Sequence, residues 1–157
     1  MKGVAVSKSR TKMTEVVLPN DTNPLGVLLG GKLLYWMDIA AAVCAQMHSS
    51  NIAVTVAIDH VEFRSAAKIG DIIEIIAQVT NAFNTSMEVY VEVSKRDAVL
   101  QTPVKINEAY FIFVCLDRDE KLVKVPPVIP QTKREKELFA AAFERRKDRT
   151  KKTNKKT

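Results

Sequence analysis

The chain has 157 residues, 46% apolar and 27% charged, the make-up of one globular domain long enough to bury a core. Its longest apolar stretch is too short for a bilayer and is broken by Asp38, and MKGVAVSKSR at the start lacks the apolar segment of a secretory leader. The net charge of +6 invites a nucleic-acid reading, but residues 131–157 alone carry +7 and the first 130 carry −1. With no aromatic after Phe143, that basicity reads as a solvated extension rather than a nucleic-acid surface.

In chain order, Thr11–Leu18 mixes β-branched and polar residues and reads as a first short strand. PNDTNPLG is turn and loop, and Gly30-Gly31 opens a long helix reaching about Ser49–Asn51. Four strand-like runs follow: Ile52–Phe63, Asp71–Thr80, Met87–Ser94 and Lys105–Leu116. In the third, Val89, Val91 and Val93 share one face and Glu88, Tyr90 and Glu92 the other. After Pro126-Pro127, Thr132–Arg149 reads as a surface helix, with Thr132 and Glu135 at capping-box spacing; residues 150–157 are expected to be disordered. Residues 1–130 thus form the main domain, 131–149 a C-terminal helix, and 150–157 a basic tail.

GKLLYWMDIAAAVCAQMHSS is apolar on nearly every side, which marks a core helix. A single antiparallel sheet must curl around such a helix, and would still leave part of it bare and its own edge strands unpaired. A homodimer at minimum follows. A carboxylate on that helix is costly to desolvate without a partner, so Asp38 is a site candidate; a structural ion pair would look the same. Ala41, Ala42 and Ala45, three, four and seven residues on, share its stripe and leave room for a ligand or a partner helix. Glycines at the helix start offer unpaired backbone N–H groups suited to a developing oxyanion.

Asn23-Pro-Leu-Gly26-Val-Leu-Leu-Gly30-Gly31-Lys-Leu-Leu-Tyr-Trp36-Met37-Asp38 resembles the N-x-x-G-x-x-x-G-G-x-L-x-x-W-M-D signature of the hotdog-fold acyl-CoA thioesterases. Val54–Phe63, Gly70-Asp71 and Thr85–Met87 are similar to the family's later blocks, so the resemblance covers roughly residues 10–125. It implies an α+β hotdog fold, a long central helix wrapped by a curved antiparallel five-stranded sheet, here with an added C-terminal helix. It implies hydrolysis of fatty acyl-CoA, with Asp38 as nucleophile or as general base on water. Asn23 would place the water or carbonyl across a subunit interface, and backbone N–H near Gly31 would polarise the carbonyl. Coenzyme A needs cations for its phosphates, and Arg64 at the end of the strand after the helix is the candidate, supplemented by Arg145, Arg146 and Lys147, though a solvated strand-end charge reads equally well. Gly30 and the Asn84-Thr85-Ser86 turn would bind the rest of the substrate. The resemblance further implies a trimer of dimers and no cofactor, coenzyme A being part of the substrate. Leu29, Ser65-Ala66 and Asn84 depart from the family's usual Phe, Pro and Gly, without touching Asp38 or Asn23.

Two other readings keep the same fold. One is a non-catalytic acyl-CoA-binding regulator, favoured only by the basic tail. The other is a dehydratase using histidine, but His48 reads as a helix-end residue and His60 as an ordinary strand residue. Two isolated histidines and two apolar-flanked cysteines lack metal-ligand spacing. Cys44 and Cys115 read as reduced core thiols of a cytoplasmic protein, with neither nucleic acid nor membrane as partner.

Overall fold

The computed structural model describes residues 1–156. Its elements in chain order are β1 (Val4–Ala5), α1 (Val6–Ser9), β2 (Thr11–Val16), α2 (Gly30–Ser49), β3 (Ile52–Phe63), β4 (Ile72–Phe83), β5 (Ser86–Arg96), β6 (Val104–Leu116), β7 (Val128–Ile129) and α3 (Lys133–Lys155). Five strands form one antiparallel sheet in the order β2-β4-β5-β6-β3; β1 and β7 make a separate parallel pair. The five strands, the central helix and the C-terminal helix are those expected, with strand boundaries moved by at most three residues and the C-terminal helix six residues longer.

Alternation decides the two faces of the sheet. Val89, Val91 and Val93 of β5 and Phe111 and Phe113 of β6 are fully buried against α2, whose Met37, Ala40, Ala41, Cys44 and Ala45 are also fully buried. The small side chains let the helix seat close to the sheet, where long ones would hold it off. Ser50 stops the helix in the left-handed conformation, its N–H bonded to the Gln46 carbonyl at 2.8 Å. Cys44 and Cys115 are buried free thiols, and burial pushes Cys44 up to about 12.

The opposite face of the sheet is not left to solvent. Helix α3 lies across it, burying Leu138 and Ala142, and the β5 residue Glu88 beneath it is fully buried. Thr132 and Glu135 form the expected capping box: the Glu135 N–H donates to Thr132 Oγ1 and the Thr132 N–H to Glu135 Oε2, both at 3.1 Å.

One expectation is corrected here. The helix does not end at Arg149 but runs to Lys155, so residues 150–155 of the expected disordered tail are helical; Thr157 lies outside the described residues. No glycine or proline follows Arg149, and the Thr150 and Thr153 hydroxyls donate to the Arg146 and Arg149 carbonyls at 3.0 and 3.1 Å. Extending an anchored helix costs far less than nucleating one.

His48 clamps the crossing from sheet to α3. Its Nε2 bonds the Pro126 carbonyl at 2.8 Å, and burial holds the imidazole below its ordinary value of 6.5. The unfolded chain takes up that proton first as pH falls, so stability is full above 6.5 and declines as pH drops from there through the lowered folded value. A thermal melt series should show this decline, and His48→Gln should flatten it.

Candidate active site

Asp38 sits on the third turn of α2, half-buried. Its Oδ1 accepts a 2.7 Å hydrogen bond from Thr55 Oγ1 on β3. Among the described residues it takes part in no salt bridge. The carboxylate is therefore held by one neutral donor at one oxygen, a geometry that orients it without neutralising it. Thr55 was not singled out from the sequence. The available signal was its place as the one hydroxyl in the run IAVTVAI, on an otherwise apolar strand.

Asp38 borders an uncovered apolar stripe. Tyr35, Ile39, Val43 and Met47, four residues apart along α2, are exposed, Tyr35 by 59%. Ile52, Val54, Val56 and Ile58 are exposed on β3, whose outer edge pairs with no other strand. The helix is thus apolar around its circumference, as read, but one chain buries only part of it.

At the helix start, no side chain caps α2, so the first N–H groups of Gly30 and Gly31 are left by helix geometry without intrahelical partners. Gly30 lines a cavity of about 320 Å³ together with Leu33, Phe63, Arg64, Ser65 and Ile106. A Cβ on Gly30 would touch the Phe63 ring at 3.5 Å, whereas one on Gly31 would meet nothing within 4 Å. Nothing in this chain requires glycine at 31, and the space its missing Cβ would take is open.

Asn23 stands in the loop ahead of the helix, and its Oδ1 accepts from the Leu25 and Val27 N–H groups at 3.0 and 3.2 Å. Its own loop uses the acceptor, so the side chain offers a ligand its amide donors. No hydrogen bond joins it to Asp38 within the chain, and Asp38 lies about 12 Å along the axis from Gly30 at 1.5 Å per residue.

Arg64 borders the cavity but is not a bare cation. It donates to Glu62 at 3.1 Å and to Glu108 at 2.7 Å, and those carboxylates raise its already high pKa. Glu108 in turn accepts from Tyr90 and Lys105; burial would raise it, but these donors outweigh burial and hold it below the usual range.

The Asn84-Thr85-Ser86 turn is not near Arg64. Its carbonyls at Asn84 and Thr85 accept from Val125 and Cys115, at the end of β6 opposite to Ile106, which binds the Arg64 N–H. Nine residues of strand, roughly 30 Å at about 3.3 Å each, separate these points. Arg145 is committed to Glu88, and Arg146 lies over the Phe83 ring. Arg146 and Lys147 also line an open groove of about 450 Å³, all of whose lining belongs to α3 itself. Among the described residues no group of His, Cys, Asp and Glu gathers as a metal site.

With this geometry in hand, the similarities to known proteins fall on one group. The Thioesterase superfamily model matches residues 25–101. The acetyl-coenzyme A thioesterase of Rattus norvegicus is 34% identical over 144 residues, 92% of this chain; the chain spans about a quarter, 26%, of that protein's length. The crystal structure of an apo-hexameric acyl-CoA thioesterase is 39% identical with a TM-score of 0.94, covering 98% of both chains. An acyl-CoA hydrolase of Staphylococcus aureus, solved with butyryl coenzyme A, coenzyme A and coenzyme A disulfide, is 33% identical with a TM-score of 0.90, covering 98% of this chain and 95% of that one. That enzyme has also been solved with an aspartate, an asparagine and a threonine each replaced by alanine.

The open space at Gly31 has a measurable consequence. Gly31→Ala should melt at or slightly above the wild-type temperature, since alanine is the better helix former and its Cβ meets nothing. A clear loss of thermal stability would show that the fold itself needs this gap.

Proposed function

This chain belongs to the thioesterase superfamily, and on that footing we propose that it hydrolyses fatty acyl-CoA to the free acid and coenzyme A, with Asp38 activating the attacking oxygen. The observation that carries this reading is the Asp38–Thr55 hydrogen bond. The asparagine, aspartate and threonine replaced in the Staphylococcus enzyme lie fifteen and seventeen residues apart. Asn23, Asp38 and Thr55 lie at the same intervals here.

Thr55 holds Oδ1 and leaves Oδ2 for the chemistry. Oδ2 takes a proton from water as the water oxygen bonds the thioester carbon. Negative charge moves to the carbonyl oxygen, where N–H groups at the start of a second copy's α2, that of Gly31 foremost, receive it, since the chain's own lie about 10 Å along the helix from Asp38. Collapse breaks the C–S bond, and the sulfur leaves with a proton returned from Asp38. Attack by Asp38 itself, followed by hydrolysis of the anhydride, uses the same groups. Arg64 stands beside Gly30 at the cavity, where a phosphate of coenzyme A would exchange with its exposed partner Glu62.

The catalytic unit is a homodimer at least. A second copy laid on the stripe of Tyr35, Ile39, Val43 and Met47 and along the free edge of β3 covers the apolar surface one chain leaves open. It also supplies the Asn23 that no single chain brings to its own Asp38. The Asn84–Ser86 turn, far from Arg64 in one chain, serves the same substrate only from a neighbouring copy. The hexameric relative supports assembly of such dimers into a trimer. Two buried free thiols suit a cytoplasmic setting.

A thiol-release assay across acetyl- to palmitoyl-CoA tests the reading. Asp38→Asn should lose about 10² to 10⁴ of kcat with the oligomer intact, and unchanged turnover would falsify the proposal. Tight binding without turnover by the wild type would make it a binding regulator instead. Thr55→Ala should cost roughly tenfold or more, the worth of one hydrogen bond to a charged acceptor. Ile39→Glu should give monomers on size exclusion and abolish turnover together, because the site needs two copies.

A further inference from the structure

Thr55 and Asp59 are four residues apart on one strand, yet they serve opposite faces of the sheet. In a regular strand, residues at even spacing line the same face, so Thr55, Ala57 and Asp59 would all point toward α2. They do not, because β3 is bulged: its register against β6 shifts between Thr55 and Ala57, with Val56 as the extra residue. Thr55 opposes Phe113 on the helix-facing side and reaches Asp38. Asp59 opposes Tyr110 on the far side, where its Oδ2 lies 3.1 Å from Nη1 of Arg149 on α3.

Arg149 is itself fixed. The same Nη1 lies 3.0 Å from Oε2 of Glu88, which is fully buried on β5 and also bound by Arg145 at 2.7 Å and by the Thr80 hydroxyl at 2.6 Å. The Arg145 guanidinium stacks 4.0 Å from the centre of the Tyr110 ring. From β5 across β6 to β3, one helix therefore ties a central strand to the edge strand. The tie steadies an irregular strand: within the chain β3 is bonded on one side only, and a second bulge between Asp59 and Glu62 puts His60 at φ +51°. In such a strand a slip of one residue exchanges its faces.

We infer that Arg149 and Asp59 are positioning residues for catalysis: their ion pair on the outer face holds the Val56 bulge, which turns Thr55 toward Asp38 on the inner face. Through this pair the C-terminal helix acts on the reaction from the far side of the sheet. This inference rests on the reading of Asp38 and Thr55 as the reaction centre.

Asp59→Asn is the clean variant, because Glu88 keeps both arginines. It should lower kcat about tenfold or more, since displacement of a catalytic group by about 1 Å costs up to 100-fold, with KM held within about twofold. Hydrogen exchange should quicken over residues 54–60 and not in β5. Arg149→Gln, which also releases Glu88, should lose at least as much kcat, and adding Asp59→Asn to it should cost nothing further, since the shared contact is already gone; Arg149→Lys should recover part of the loss. Wild-type kcat in Asp59→Asn, or additive losses in the double variant, overturns the inference. Should Arg149→Gln fail to fold, the kcat and exchange of Asp59→Asn decide alone. The two readings fail differently: if Asp38→Asn is inactive but Asp59→Asn is not, only the positioning role falls, whereas an active Asp38→Asn removes the reaction centre itself.

Discussion

Helix α2 carries apolar side chains around more of its circumference than one five-stranded sheet can cover. Met37, Ala40, Ala41, Cys44 and Ala45 are sealed against the sheet. Tyr35, Ile39, Val43 and Met47 are not. Asp38 lies on the boundary between these two stripes, half-buried, one residue before Ile39. A carboxylate at that boundary keeps access to water and ligand while its backbone is held by the central helix. Deeper on the helix it would be desolvated; farther out it would be an ordinary surface charge.

The strand beside that boundary answers three demands. β3 pairs with β6 on one side, exposes Ile52, Val54, Val56 and Ile58 along its free edge, and delivers Thr55 to Asp38. A regular strand could not also deliver Asp59 to the opposite helix. The bulge at Val56 resolves the conflict by spending one residue to change faces. The local sequence is rich in β-branched residues and so holds a strand through this irregularity.

On the far side of the sheet, the buried Glu88 sets a different condition. A carboxylate with no exposure is tolerable only when its oxygens are filled, and Arg145, Arg149 and Thr80 fill them. Two of those three donors come from α3, so docking of the helix and burial of the charge occur together. Much of the basicity of the C-terminal segment is thus accounted for unevenly: Arg145 and Arg149 are structural, while the lysines of the last turns remain on the exposed side.

Local signals were enough for the order of elements: alternation in β5, continuous apolar runs such as α2 and the end of β6, and turn residues between them. The turn glycines, the Thr132–Glu135 cap and the place of Asp38 on a core helix were legible for the same reason: they are local. Thr55 was not, since a threonine on a strand carries no mark of which helix it will face. The extension of α3 past Arg149 was missed because a lysine-rich tail resembles disorder unless something anchors the turn before it. Arg64 looked like a free cation, and only the fold brought Glu108, forty-four residues away, to its guanidinium. What the sequence determined by itself is the set of elements and the acid; which residue each side chain meets was decided only when bulges and strand order set the faces, because those contacts join segments that have no local reason to recognise one another.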